Sequence, residues 1–392
     1  MTSDNVSNRT WLVKPLGGLV AMMVGLGAAI VAVSGVGPAV ASHSDASATL
    51  SVEQVAGPQA VTKQRRAKKA KKHNKVKHNR IKRCKKGKRG AKCRARRASS
   101  NTARVTLSGN RWAGAIDTTN VAAVNSAYQS QYASGLRTPT GYTGNDNACV
   151  AGTSSQESRD TTLRAINFTR SLAGLAPVYF DGGLNAKAQQ TALMMSANGA
   201  LSHTPGAGWR CYTQVGANTA GISNLALAYP SITSAGMIGM YMDELGSSNV
   251  VVGHRRWLLN PFATAMGSGS TNNANAIAVI GSSNPGNPNP AWVSWPTNNY
   301  FPAPLEPKGR WSLSAGHSGA NFESATVSMS GPNGPIPVTR YAPKNGYAQP
   351  TLVWQVSGPI DPTGTYHVTV NNIRVGNGTT SYSYAVQMFK PY

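Results

Sequence analysis

The run from Lys63 to Arg97 constrains this chain most. It reads KQRRAKKAKKHNKVKHNRIKRCKKGKRGAKCRARR and holds 20 of the 38 basic residues, with no acidic residue and almost no large apolar one. Such a segment cannot bury enough apolar surface to offset the entropy of ordering itself, so residues 63–97 are expected to be disordered and to split the chain. The 18 basic residues left elsewhere face 13 acidic ones, so the formal charge of +25 describes a segment and not a fold. Cations clustered this way predict salt-dependent contact with polyanions, here an anionic cell-wall polymer or a membrane surface. The run has no aromatic ring on which bases could stack, which argues against single-stranded nucleic acid.

Ahead of this run, Leu16 to Val33 (LGGLVAMMVGLGAAIVAV) is uncharged, follows Arg9 and Lys14, and leads to Ala39-Val40-Ala41. That is the pattern of a secretory signal peptide over residues 1–41, with an uncleaved anchor as the rival reading because the stretch just reaches across a bilayer. Both place the remainder outside the cytoplasm; with cleavage the protein is expected to be secreted, with cell-wall association as a further expectation. Export makes disulfides available. The four cysteines allow three pairings, and proximity favours Cys84–Cys93 and Cys149–Cys211. No C-x-x-C spacing suggests a structural zinc site.

Residues 42–62 and 98–119 read as linkers. From about Asn120 the pattern becomes helical: Val121–Tyr132, then Asp160–Ala173 with Asp160 as N-cap and Gly174 closing it, then Gly183–Ala197 with Leu184, Ala188, Thr191 and Met195 on one stripe. A further helix is expected over Ser234–Leu245, and Asn275–Ile280 reads as a buried strand. Pro, Asn and Ser crowd the stretch after Gly281, marking a boundary between residues 120–283 and 284–392. Beyond it the chain alternates, with Leu352, Trp354 and Val356 on one face, as are Tyr366, Val368 and Val370, and Tyr382, Tyr384, Val386 and Met388. Short alternating strands predict a β-sandwich, with its aromatics in the core.

Two histidines stand in settings that suggest chemistry. His203 lies in LSHTP at the end of a helix, and His254 lies in GHRRWLLNP after a helix bearing Asp243 and Glu244. Two imidazoles and a carboxylate suit either proton transfer or a zinc site. No G-x-S-x-G elbow, H-E-x-x-H helix, P-loop or dinucleotide fingerprint occurs, and a triad of Ser202 or Ser223 with His254 and Asp243 has no motif behind it. Trp257 reads as core, Asn249 as a local backbone cap, and Arg255 and Arg256 as partners of Asp243, Glu244 or an anionic ligand.

Taken together, NFTRSLAGLAPVYFDGGLNAKAQQTALMMSANGALSHTP and the later GHRRWLLNP with Met266-Gly267-Ser268-Gly269 resemble the CAP superfamily (SCP-like; cysteine-rich secretory, antigen and pathogenesis-related proteins) in its bacterial form. The carried positions are Asn167, Arg170, Gly174-Leu175, Pro177 and His203, over about residues 120–281. The resemblance implies an α+β fold: an α-β-α sandwich, here followed by the small all-β sandwich. It also implies a cleft whose lining residues here would be His203, Ser223, Asn224, Asp243, Glu244, His254 and Arg255. The family's second acid, which precedes an asparagine, is replaced by Ser223, so a divalent metal such as zinc on His203 and His254 would have an incomplete ligand set. No cofactor is required by this reading. The resulting expectation is a secreted envelope protein, more a binder than an enzyme, holding a small apolar or glycan ligand in that cleft. One alternative is a metal-assisted protease or wall-degrading hydrolase using His203, Glu244 and His254. The other is a structural adhesin acting through the C-terminal β domain.

Overall fold

The computed structural model describes residues 50–53, 103–316 and 319–392. The signal segment, the basic run and the expected Cys84–Cys93 pair lie outside them. Six α-helices occupy the first half: α1 (Val121–Gln131), α2 (Gln156–Leu172), α3 (Gly182–Asn198), α4 (Gln214–Ala220), α5 (Gly236–Asp243) and α6 (Gly253–Leu258). Five strands accompany them: β1 (Leu50–Glu53), β2 (Tyr179–Phe180), β3 (Ser223–Ala228), β4 (Ala265–Ser270) and β5 (Ala274–Ala278). They form one sheet in the order β1-β3-β5-β4-β2. The strand at Leu50–Glu53, within the expected linker, pairs antiparallel with β3.

The period-2 alternation of a strand explains the three layers. On β3, Leu225 and Leu227 join Ala188, Ala192 and Met195 of α3 in one buried cluster, while Ala226 and Ala228 join a second, larger cluster with α2 and α5. On β5, Ala274 and Ala276 face α3, and Ile277 faces the other side. Helix α3 lies almost on the sheet backbone. A Cβ on Gly269 would fall 2.2 Å from the Gln189 nitrogen, and one on Gly267 2.5 Å from the Leu184 carbonyl carbon, so only glycine permits this approach.

Capping sets the helix ends. Ser155 accepts from the Ser158 N–H and starts α2 four residues before the expected Asp160, because a polar first turn has no apolar period to reveal it. Asp181 starts α3 in the same way, and Gly199, at φ +56°, ends it.

The second half carries ten strands: β6 (Trp292–Trp295), β7 (Asn299–Pro302), β8 (Arg310–Ala315), β9 (Ala320–Asn321), β10 (Thr326–Gly331), β11 (Gly334–Ile336), β12 (Val338–Arg340), β13 (Thr351–Val356), β14 (Thr365–Val375) and β15 (Gly378–Phe389). One sheet runs β11-β10-β14-β15-β7 with β9 beside β14, and the other runs β12-β13-β8-β6. Their inner faces meet through buried Trp311, Leu313, Leu352 and Trp354 on one side and Tyr366, Val368, Val370 and Val386 on the other. Trp311 and Tyr366 cross edge to face at 5.8 Å. This is the sandwich core the alternation predicts, and its aromatics fill it.

The two halves share a single apolar cluster that runs from Val124 to Met388. Residues 103–119, expected to be a linker, act as a strap across both. Val105 N–H donates to Thr379, Asn110 N–H to Asn289, and Trp112 N–H to Gly174. At the other end, Asn125 on α1 exchanges two hydrogen bonds with the Tyr392 backbone, at 2.8 and 3.0 Å.

Candidate functional site

Helix α5 stops at Asp243, two residues short of the expected Leu245. Glu244 there adopts φ +57°, a left-handed conformation that costs energy in a non-glycine residue. Val252, just before α6, is also left-handed at φ +47°. These two turns fold α5 and α6 back on each other and aim the Glu244 carboxylate at the start of α6. Its Oε2 lies 2.9 Å from His254 Nδ1, and its Oε1 accepts from the Arg255 N–H at 2.9 Å. Both side chains of the pair are fully buried. His254 follows α5, as the sequence suggests, and lies within α6. Its ring stacks on Tyr241 at 5.4 Å, and the Tyr241 hydroxyl donates to Asn275 Oδ1 at 2.8 Å. Asn224 donates to the His254 carbonyl at 3.1 Å.

The β half supplies a wall of this cluster. Arg255 donates through Nε to the Met242 carbonyl and through one terminal nitrogen to the Arg310 carbonyl, 2.9 Å, and the Ser312 hydroxyl, 3.0 Å. In return Arg310 donates to the carbonyls of Glu244 and Gly246. Arg256 reaches the carbonyls of Lys344, Tyr347 and Gln349 and sits over the Tyr347 ring at 5.2 Å. The two arginines of GHRRW therefore hold backbone of the β half, where the sequence suggested acidic partners or an anionic ligand. Burial lowers both guanidinium pKa values to about 10, which leaves them charged at neutral pH.

Asp243, partly buried beside this clamp, is pushed up to about 7, chiefly by burial; Lys308 and Arg255 oppose the shift, and Glu306 and Glu244 add to it. Glu306 is also raised by burial, against the Trp311 and Gly309 hydrogen bonds it accepts.

Of the residues expected to line a cleft, Ser223, Asn224, Glu244, His254 and Arg255 are buried. His203 and Asp243 are half-buried. The Ser223 hydroxyl donates to the Thr219 carbonyl at 2.7 Å, and His203 Nδ1 lies 2.8 Å from the Ala220 carbonyl oxygen. His203 sits in the loop beyond α3, clear of the helix end. Among the described residues no group of three or more His, Cys, Asp or Glu side chains comes together to hold a metal ion. The cluster can orient an imidazole against a carboxylate, and it can tie two halves of the chain together.

The other residues singled out in the sequence have structural places. Asn167 pairs reciprocally with the Val178 backbone, and buried Arg170 donates to the carbonyls of Ala176, Leu258 and Asn260. Trp257 is core, and Asn249 donates to the Leu245 carbonyl. Cys149 and Cys211 are disulfide-bonded. Sequence reasoning missed Tyr241, Asn275, Glu306 and Arg310, because their role depends on contacts made far along the chain.

No curated protein matches the chain. Among solved structures it is similar to selenomethionine PcoC, a copper resistance protein from Escherichia coli, at 13% identity over 24% of this chain and 95% of that one, with a TM-score of 0.20. That score is too low to carry an argument. Residues 163–281 match the family model of the Cysteine-rich secretory protein family, CAP. They contain α3 to α6 and four strands of the first sheet, so this region of the chain carries a CAP domain.

Proposed function

We propose that this protein is an exported envelope protein that binds and does not catalyse. Its polycationic segment, residues 63–97, contacts an anionic wall polymer, and its folded part holds a small apolar or glycan ligand. The observation carrying this reading is the complete burial of the His254 and Glu244 side chains, which lie 2.9 Å apart. A general base or a nucleophile-activating pair must come within hydrogen-bond reach of a substrate, and a fully buried pair offers no such reach. The hydrolase alternative rests on that same pair. It predicts a turnover that Glu244→Gln abolishes while the protein stays folded.

The apolar N-terminal segment and the basic run support the envelope part of the reading, one through its hydrophobicity and the other through its charge. Deleting residues 63–97 should release the protein from the wall fraction into the medium, and added salt should release the intact protein in the same way. Unchanged retention of the deletion variant in cell fractionation would sink the tether.

A further inference from the structure

The folded part has an open groove away from the His254 cluster, between the first turns of α2 and α3. Two adjoining cavities of about 540 and 320 Å³ share Gln156, Arg159, Gly182 and Asn185 as lining residues. Each lies within the range of about 300–1,000 Å³ common for small-ligand sites. Residues 151–154 form one end, following Cys149 of the disulfide. Buried Gln189 holds this end by donating to the Ala151 and Ser270 carbonyls at 3.0 Å, and Arg159 holds it by donating to the Ser154 carbonyl. The groove is therefore built before a ligand arrives, which lowers the ordering cost of binding. At the far end lies Tyr179, 56% exposed although its neighbours on both sides pack into the fold.

The chemistry of the walls is selective. Arg159 and Asp160 cancel in charge, so nothing there favours an ion. Asn185 uses its Oδ1 to accept from the Ser268 N–H at 2.8 Å, and Gln190 uses its Oε1 to accept from the Thr213 hydroxyl at 2.7 Å. Those two bonds fix the orientation of both amides and leave an NH2 on each as the donor. A neutral wall of fixed amide donors calls for a neutral ligand rich in acceptors. An exposed tyrosine adds a flat, electron-rich face suited to the C–H face of a pyranose ring.

We infer that this groove binds an N-acetylated amino-sugar chain, with acetamido carbonyls on Asn185 and Gln190 and one sugar ring on Tyr179. The inference rests on the glycan-binding reading above and moves the ligand from the family cleft to the α2–α3 groove. The test is calorimetry of the full chain with the β-1,4-linked tetramer of N-acetylglucosamine, the glucose tetramer of the same linkage, and N-acetyl-trialanine. The acetylated tetramer should bind, and the glucose tetramer should bind about tenfold more weakly for want of the carbonyl. Tyr179→Ala should weaken the acetylated tetramer about tenfold, with an unchanged melting temperature because the ring is exposed. Gln190→Ala should weaken it severalfold. Binding that neither substitution affects would overturn the groove and leave the glycan reading standing. Binding of the peptide alone would overturn the ligand class. Binding of neither would overturn the inference, and the envelope reading would still be decided separately by wall retention.

Discussion

The His254–Glu244 cluster and the α2–α3 groove contrast where they would be expected to agree. The cluster has the reactive groups: an imidazole on a carboxylate, a second acid titrating near neutrality, and buried guanidinium groups. Yet it is closed, with strand residues of the β half as one wall. The groove is open, but it holds amides and a tyrosine where a catalyst would hold a base. The contrast teaches that a buried imidazole–carboxylate pair can serve the fold through its hydrogen bonds while the open surface lies elsewhere. In this chain the GHRRW segment works as a clamp between halves.

Several changes would test that contrast, the largest first. Replacing Cys149 and Cys211 by serine frees a 62-residue separation; the chain-entropy model gives about 4 kcal/mol of lost stability. Denaturant melts should show it, and the groove end at residues 151–154 should lose amide-exchange protection first. Arg256→Ala removes the guanidinium donors to the Lys344, Tyr347 and Gln349 carbonyls, at a cost of about 3 kcal/mol. If the clamp is real, hydrogen exchange should then rise in β13 and around His254 and stay level in the groove. Gly269→Ala drives a Cβ into the α3 backbone and should cost about 2 kcal/mol, with the loss of protection centred on α3 and the groove instead.

The remaining effect is one of pH. The Asp243 pKa is raised from 3.8 to about 7 in the fold, so the native state holds a proton that the unfolded chain has lost. Its contribution is present below pH 4, declines as pH rises through that window, and is gone above about 7. Asp243→Asn should flatten this part of the stability profile. A profile unchanged by the substitution would mean that Asp243 is not charged at the expense of the clamp.

Much of this fold was legible in the sequence. Periodicity located α1, α3 and β13, and the motif residues pointed to the CAP superfamily. The Cys149–Cys211 bond followed from proximity alone. What escaped had a common cause: its determinants are distant in sequence. Residues 103–119 look like a linker because they hold no repeating apolar pattern, and only partners such as Thr379 and Asn289 make them a strap. The burial of Glu244 depends on Arg310, and the left-handed turn that aims it has no sequence marker, since glutamate is an unusual residue there. The groove was invisible because Gln156, Tyr179 and Gln190 are ordinary surface residues until three elements bring them together.

The bonds between α1 and Tyr392 span 267 residues. A ribosome releases α1 and its neighbour α2 long before it makes Tyr392, so one side of the first helix stays uncovered through most of synthesis. Contacts this remote make folding slow, and the growing chain must keep its apolar faces from premature association until the last strand appears. A gene fragment ending at the family-matched region would inherit the same difficulty permanently: it would encode the recognisable half of the protein without the half that completes its core.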